Sequence, residues 1–326
     1  MRAKADGLPI QWVVRIGTAM HIFLTGATGY IGSAVLGALI KGGHTVAAMA
    51  RDPEKAERLA ATGATPVVAE LGMPKRYLAA VKAADAVVYA AYESSPRGVE
   101  LEKQALETML GAQAQASQAD GKVRTFIYTS GIWVVGRSIK AADETAPLDP
   151  PPHVAWRPAH EDIVLSAFSA TLRTVVVRPG IVYGGGRGIV SDLIKDALNG
   201  LVRVVGPGKN RWPLVYDHDL GDLYVRILET PTAAGIFHAN DEADERVSDI
   251  VEAIAAQVPQ KPDIRYMPMA EAHKKLGTYA DALALDQKVR SPKARALGWA
   301  PTQPGVINSV ARLLEEFRNT QRERNA

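Results

Sequence analysis

The stretch TGATGYIG, residues 25–32, decides the fold of this chain. It follows the short apolar run HIFL, which is typical of a buried β-strand. It leads into SAVLGALIKGG, whose apolar residues recur at helical spacing. Three glycines spaced three residues apart would weaken a strand or a helix, so they predict a turn between the two. Such a turn ends in a helix N-terminus, where free N–H groups can bind a phosphate.

Each of the three glycines has a predicted task. Gly26 would permit the tight turn, Gly29 would let a pyrophosphate approach the backbone, and Gly32 would let the helix pack against the sheet. The alternative is that all three are turn and packing glycines without any ligand.

Strand-like and helix-like segments alternate as far as residue 180, which predicts a parallel sheet covered by helices on both faces. Beyond that point the alternation weakens. We therefore expect an α/β fold with a doubly wound Rossmann domain over residues 20–180. A smaller, mainly substrate-binding C-terminal lobe is expected over residues 181–326, with segments around 214–240 returning to the Rossmann domain. Residues 1–19 are interpreted as an N-terminal extension.

The composition is that of an ordinary globular protein, with 326 residues, 47% of them hydrophobic, and a formal net charge of +3. A charge so near balance gives no indication of nucleic acid or a membrane as a partner. Cysteine is absent, which excludes disulfides, thiolate metal sites and a cysteine nucleophile, and suits a cytoplasmic protein. The expected partner is a small-molecule substrate.

Three later motifs follow the glycine stretch in a specific order: DAVVYAA at 85–91, YTSGIWVVG at 128–136 and VVVRPGIVYG at 175–184. Together they resemble the extended branch of the short-chain dehydrogenase/reductase superfamily, the NAD-dependent epimerase/dehydratase-like proteins. The resemblance implies a nicotinamide dinucleotide as cofactor, and a homodimer is an expectation because many relatives are dimers. The residues expected to contact the dinucleotide are Thr25, Gly26, Thr28, Gly29, Tyr30, Ile31, Gly32, Arg51, Glu70, Leu71, Ala90, Ala91, Thr129, Ser130, His160, Arg178, Pro179 and Gly180.

The end of the second predicted strand bears on which dinucleotide is bound. NAD-binding relatives usually place an acidic residue there, where it accepts hydrogen bonds from the ribose. Here the predicted strand ends in MAR, with Ala50 and Arg51, and the charge and planar guanidinium of Arg51 suit a 2′-phosphate. We therefore expect NADP(H) to be preferred over NAD(H). The alternative is a surface arginine beside the predicted helix cap Asp52.

The catalytic residues that the resemblance implies are missing. The extended branch typically uses a Ser or Thr, a Tyr, and a Lys four residues after the Tyr, which lowers the tyrosine pKa. Alignment by pattern places Gly131 at the Ser/Thr position, Trp156 at the Tyr position and His160 at the Lys position. Tryptophan carries only an N–H donor and cannot transfer a proton, so the usual mechanism is not expected.

Four residues are candidate catalytic substitutes. His160 could bind the nicotinamide ribose or act as an acid or base, unless it is simply a hydrogen-bonded histidine near the helix start. Ser130 could hydrogen-bond a substrate carbonyl. Tyr92 and Tyr183 could donate a proton, although a tyrosine at either position is more often a pocket-wall or packing residue. The residues expected to line the substrate pocket are Tyr92, Gly131, Trp133, Trp156, Tyr183 and Trp212, an aromatic set that favours a flat or apolar substrate.

Two charged clusters are interpreted as structural. Arg157 and Glu161 lie four residues apart and are expected to pair on the surface of their helix, the alternative being a catalytic Arg–Glu couple. Asp217, His218 and Asp219 look like metal ligands, but adjacent residues on a short loop rarely converge on one ion. No metal site is expected, and this acidic turn is predicted to cap a helix.

The predicted function is that of an NADP(H)-dependent oxidoreductase of the atypical extended short-chain type. Hydride would pass to or from a small, apolar or aromatic carbonyl, enone or imine. A nucleotide-sugar-type epimerase or dehydratase is the alternative within the superfamily. Loss of the usual catalytic residues with retention of the glycine turn would also suit a non-catalytic dinucleotide-binding sensor or structural protein.

Overall fold

The strand that precedes the glycine turn lies inside a seven-stranded parallel sheet. The computed structural model describes residues 19–325, so the extension predicted at 1–19 lies, apart from its last residue, outside the described residues. The strands are β1 (His21–Thr25), β2 (Thr45–Ala50), β3 (Thr65–Val68), β4 (Ala86–Tyr89), β5 (Arg124–Thr129), β6 (Ser138–Ala142), β7 (Leu172–Pro179), β8 (Ile181–Tyr183), β9 (Leu201–Val205), β10 (Leu214–Tyr216), β11 (Gly235–Ala239), β12 (Asp263–Met267) and β13 (Gln287–Val289). The α-helices are α1 (Tyr30–Lys41), α2 (Pro53–Ala61), α3 (Pro74–Ala83), α4 (Gly98–Asp120), α5 (Arg157–Ser166), α6 (Gly188–Leu198), α7 (Asp217–Glu229), α8 (Val247–Ala255), α9 (Met269–Leu276), α10 (Tyr279–Leu283), α11 (Pro292–Ala296) and α12 (Val310–Asn325).

The strand order across the main sheet is β3-β2-β1-β4-β5-β7-β11, and every pairing is parallel. Strands β1, β2 and β3 are added in one direction across the sheet, and the chain then returns to place β4 on the other side of β1. The strand order therefore reverses between β1 and β4. Ligands of such sheets bind at the carboxyl ends of the strands beside this reversal, and the glycine turn begins there.

Both faces of the main sheet are covered, which confirms the doubly wound α/β prediction. One apolar cluster joins the sheet to α1, α2 and α7, and the opposite cluster joins it to α3, α4 and α5. Alternation along β5 shows the division, because Phe126 and Tyr128 pack in one cluster and Ile127 in the other. Two packed layers of helix fix the carboxyl edge of the sheet in place.

The second half of the chain contributes to the main sheet and to a cluster of its own. Strand β11 is the seventh strand, and α7 packs against α1. A further apolar cluster joins α6, α8, α12 and strands β9 and β10. Three two-stranded parallel sheets, β8–β10, β9–β12 and β6–β13, accompany it.

Beyond residue 180, where the sequence alternation weakens, helix α6 and strand β9 lie between two glycine-rich segments. The final helix begins at Val310, after Pro304, Gly305 and a short 3-10 turn at Ile307–Ser309. In the stretch from 19 to 325, no helix combines the length and apolar character needed to cross a membrane.

Candidate active site

The glycine turn is closed by backbone contacts that leave no room for side chains. Gly26 has a φ of +69°, and a Cβ there would lie 2.4 Å from the carbonyl oxygen of Ala90. A Cβ on Gly32 would lie 2.0 Å from the carbonyl oxygen of Gly26. Gly32 was expected to approach the sheet, but its closest approach is to the turn itself.

The first turn of α1 offers free N–H groups at the carboxyl end of β1. Gly29 is the N-cap residue and makes no side-chain capping bond. Its own N–H donates to Gly26 at 2.8 Å, whereas in the described chain the N–H groups of Tyr30 and Ile31 have no hydrogen-bond partner. Thr28 is exposed beside them. Unpaired amides next to a residue without a Cβ fit the pyrophosphate of a dinucleotide.

Thr25 connects this turn to the neighbouring strand. Its Oγ1 accepts hydrogen bonds from the N–H groups of Ala90 at 3.1 Å and Ala91 at 3.2 Å. On the next strand along, the hydroxyl of Thr129 lies 2.7 Å from that of Tyr224. Predicted cofactor residues at the ends of β1, β4 and β5 are therefore brought to one edge.

The end of β2 presents a cation and no available carboxylate. Arg51 is exposed, and among the described side chains it has neither an ion-pair nor a hydrogen-bond partner. The carboxylate of Asp52 accepts from the N–H of Lys55 at 2.9 Å and pairs with the Lys55 ammonium at 2.7 Å. Across the β2–β3 edge, Glu70 is half-buried and Leu71 is buried.

A cavity of about 310 Å³ opens beside the glycine turn. Its wall combines the start of α1, the loop after β5, the start of α5 and the segment after β7. Arg157 is the one residue of this wall that carries a permanent charge, and His153 also lines it. The expected cofactor or substrate residues that line the cavity are Tyr30, Ile31, Tyr92, Ser130, Gly131, Trp133, Trp156, Pro179 and Gly180.

Two residues expected to line the substrate pocket lie elsewhere. Tyr183 is fully buried in the C-terminal apolar cluster, and its neighbours Ile181 and Val182 line the cavity instead. Burial raises the pKa of the Tyr183 hydroxyl well above its ordinary value, and the hydroxyl has no hydrogen-bond partner among described residues. Trp212 is buried in the same cluster and donates to the Leu283 carbonyl at 3.0 Å. The placement of Tyr183 and Trp212 makes both packing residues.

Ser130 belongs to a buried polar network. Its hydroxyl donates to Oε1 of Glu161 at 2.5 Å, and Glu161 accepts from the Arg178 guanidinium at 2.5 to 3.1 Å. The side chains of Glu161 and Arg178 are each 2% exposed. The prediction of a surface pair between Arg157 and Glu161 was therefore wrong. A serine has one proton to donate, so towards the cavity Ser130 presents an acceptor.

His160 lies behind the cavity wall. The ring is buried, its Nδ1 lies 3.2 Å from Oε1 of Glu102, and it meets the Trp156 ring edge-on at 4.9 Å. Glu102 also accepts from the Tyr128 hydroxyl at 2.6 Å. If Nδ1 carries the proton, the carboxylate fixes the tautomer and leaves Nε2 as an acceptor.

Aromatic rings form two walls of the cavity. Tyr92 stacks on Trp156 with 4° between the ring planes and 6.1 Å between centroids. On the other side, Trp133 packs edge-on against His153 and Tyr279. Burial, and then the nearby positive charge of Arg157, lower the pKa of His153, so this ring is neutral near pH 7.

Asp217, His218 and Asp219 lie in the first turn of α7 and not in a loop before it. Over the described part of the chain, no group of three potential ligands is assembled. Asp219 accepts from the Thr302 hydroxyl and N–H, and burial raises the pKa of Asp217 to about 6. Tyr216, not an aspartate, is the N-cap of α7, so the predicted capping role was wrong.

Comparison with known proteins agrees with this geometry. The model of the NAD dependent epimerase/dehydratase family matches residues 22–239, which is more than half of the chain. The chain belongs to that family. Its members bind a nicotinamide dinucleotide, which the free amides of the glycine turn accommodate.

Two relatives and one solved structure of the same fold show what this chain resembles. An uncharacterized protein of Schizosaccharomyces pombe is 30% identical over 90% of this chain and 98% of its own length. The sterol-4-alpha-carboxylate 3-dehydrogenase (decarboxylating) of Dictyostelium discoideum is 28% identical over 68% of this chain and 71% of its own. A human epimerase family protein solved with NADPH shares the fold, with a TM-score of 0.71 and 20% identity over 92% of this chain and all (100%) of that one.

Sequence reasoning did not connect Glu102, His153 or Arg157 with the cavity. His153 and Arg157 line it, and Glu102 lies behind its wall against His160. Glu102 comes from a distant part of the chain, and Arg157 was expected in a surface pair.

Arg178, which was expected to contact the dinucleotide, is instead buried in the ion pair with Glu161. The sequence carried a signal for this, because a charged residue inside the apolar run VVVRPG requires a buried partner.

Proposed function

We propose that this family member is an NADP(H)-dependent reductase of a small, apolar or aromatic carbonyl, enone or imine. The observation that carries the proposal is the aromatic cavity that begins at Tyr30 and Ile31 of the dinucleotide turn. A molecule in the cavity lies next to the site proposed for the nicotinamide. The bound cofactor supplies or accepts the hydride.

The preference for NADP(H) rests on the end of β2. Arg51 is exposed and unpaired within the described chain, so it is free to bind a 2′-phosphate. Asp52 is the nearest carboxylate in sequence, and it is engaged by the N–H and ammonium of Lys55. It therefore does not serve the ribose hydroxyls as the acidic residue of NAD binders does.

The chain's own residues position the substrate and supply a proton. Tyr92 is 54% exposed at the cavity and stacks directly on Trp156, which occupies the family's Tyr position. We assign proton transfer to the Tyr92 hydroxyl, because Ser130 donates its proton inward and Tyr183 lies in the core. His160, fixed by Glu102 behind the cavity wall, is assigned a positioning role on the Trp156 ring, which lines the cavity.

Dehydrogenase chemistry within the family supports this assignment, since the Dictyostelium relative carries that name. A second candidate is a non-catalytic dinucleotide binder. The observation in its favour is that Trp156 and His160 replace both proton-transfer residues of the family while the glycine turn is kept.

The first test is a fluorescence titration of nucleotide-free protein with NADPH and NADH. It is followed by a screen of aromatic aldehydes, enones and imines for NADPH consumption. Tighter NADPH binding with turnover, and a large loss of turnover in Tyr92→Phe, is the expected result. Binding without turnover of any class favours the non-catalytic binder. Absence of binding by either nucleotide refutes the proposal.

A further inference from the structure

We infer that the cavity takes a flat apolar molecule carrying an anionic group, in the simplest case an aromatic carboxylate, and that Arg157 binds that group. The inference rests on the proposed function, because it assigns the substrate class of the same cavity. It depends on four observations about Arg157 and its surroundings.

The cavity wall contains one permanent charge, the Arg157 guanidinium, and no carboxylate to neutralise it. Of the residues that line the cavity, none carries a carboxylate, and Arg157 is the sole arginine or lysine. Within the described chain, no acidic oxygen lies within 4.0 Å of its guanidinium nitrogens. Its assigned hydrogen bond goes from Nη1 to the Tyr128 hydroxyl at 3.3 Å. A guanidinium has five N–H donors, so several remain for a ligand.

Aromatic rings hold the Arg157 side chain in position. Its Cζ lies 4.5 Å from the centre of the Trp156 ring and 5.6 Å from that of the Tyr92 ring. Cation–π contacts orient a guanidinium without consuming its N–H donors, which lie in the plane of the group. The flexible chain is therefore already ordered before a ligand arrives, which favours tight anion binding.

The acidic groups nearby already have partners of their own. Glu161 is bound by Arg178 and Ser130, and Glu102 faces His160 and Tyr128. These carboxylates lie behind the wall and do not line the cavity. The positive charge that reaches the cavity is therefore available to a ligand.

His153 also bears on which ligand the cavity prefers. Its ring is neutral near pH 7, so it adds no second cation and leaves the anion to Arg157. Trp133 and Tyr279 surround it with apolar ring surface. One fixed cation within an aromatic enclosure matches an aromatic acid better than a sugar, whose hydroxyls would need many polar partners.

The cofactor phosphates do not account for this cation. They are assigned to the free amides at the start of α1, whereas Arg157 starts α5 beside Trp156. Trp156 stands where the family places the tyrosine that acts on the substrate. The anion that Arg157 binds is therefore assigned to the substrate.

The test compares cinnamate with cinnamamide, a matched pair that differs in charge, by calorimetric titration with NADPH saturating. Wild-type protein is expected to bind cinnamate about tenfold more tightly than the amide, as one charge-assisted contact provides. Arg157→Gln should remove that preference, because it weakens cinnamate binding more than cinnamamide binding. Arg157→Lys should keep part of it. The control Arg265→Gln removes an exposed, distant cation and should bind as wild type.

Thermal melts establish that each variant is folded. The inference is overturned if wild type binds acid and amide equally, if cinnamate fails to bind at millimolar concentration, or if folded Arg157→Gln keeps the preference. Because binding is measured without turnover, a protein that consumes no NADPH but still selects the acid refutes the reductase proposal alone.

Discussion

The hydroxyl of Ser130 donates to Glu161 at 2.5 Å, away from the cavity that Ser130 lines. Glu161 is held by Arg178, so the serine proton is committed to a buried ion pair. Sequence reasoning expected Ser130 to hydrogen-bond a substrate carbonyl, which requires a donor. The structure instead leaves an acceptor in the cavity, suited to an amide or hydroxyl of a ligand.

Removing the charge of Glu161 should strongly destabilise the fold. Glu161→Gln leaves the Arg178 guanidinium buried without its counter-ion, which typically costs about 3–5 kcal/mol. Chemical denaturation measures this change in the free energy of unfolding. The control is Glu54→Gln, whose ion pair with Arg58 is well exposed and should contribute less than about 1 kcal/mol. Equal losses in the two variants would contradict the buried-pair interpretation.

Adding one methyl group at Gly32 should abolish dinucleotide binding. In Gly32→Ala the new Cβ would lie 2.0 Å from the Gly26 carbonyl oxygen, so the turn must open. The control lies in the same helix: a Cβ on Gly37 meets no atom within 4 Å. Gly37→Ala should gain about 0.5–1 kcal/mol of stability and bind NADPH normally. NADPH affinity retained by Gly32→Ala would refute the steric explanation.

The cofactor preference should depend on Arg51. Arg51→Ala is expected to weaken NADPH binding about tenfold and to leave NADH binding unchanged, because only NADPH carries the 2′-phosphate. Paired fluorescence titrations measure both constants. Arg58→Ala is the matched control, since it removes an exposed cation from the following helix. An equal loss of NADH affinity in Arg51→Ala would exclude phosphate recognition.

His160 should matter for the cofactor or for turnover. His160→Ala removes the ring held by Glu102 and is expected to lower NADPH affinity or turnover by about tenfold, as loss of one hydrogen bond would. His273→Ala is the control, because that ring is partly exposed and pairs with Asp281 on another helix. If His160→Ala is kinetically the same as wild type, the residue has no role in binding or catalysis.

The free energy of unfolding should decrease as the pH rises, because Asp241 ionises. Burial raises its pKa from 3.8 to about 7, and its Oδ2 is buried without a hydrogen-bond partner among described residues. The folded state therefore holds this proton more tightly than the unfolded chain does. The stabilising contribution is complete below pH 3.8 and is lost as the pH rises through about 7.

The corresponding measurement is Tm between about pH 4 and pH 8 for Asp241→Asn, which cannot titrate, and for wild type. The variant should show the flatter curve. Asp263→Asn serves as control, since that carboxylate is 55% exposed in a surface ion pair. Parallel curves for wild type and Asp241→Asn would show that another group dominates.

The fold was predictable because its signals are local. Alternating strand and helix patterns, and the glycine turn after β1, depend on neighbouring residues, and the structure confirms them. The cavity depends on contacts between distant segments: Glu161 meets Arg178 from another element, and Tyr92 meets Trp156 across 64 residues of sequence. Tyr183 was misplaced because the cavity wall ends at Ile181 and Val182, and the tyrosine that follows them packs in the C-terminal apolar cluster.

The glycine turn also constrains how this protein can change. The atoms that exclude a side chain at Gly26 and Gly32 are backbone atoms of Ala90 and Gly26, and no substitution elsewhere can shorten a backbone. If Gly26 or Gly32 is replaced by a larger residue, we therefore expect that no second mutation elsewhere in the chain restores the turn. Arg51 has no such restriction, because its side chain is exposed. We therefore expect that substitutions at the end of β2, by selection or by design, can change the nucleotide preference without disturbing the glycine turn.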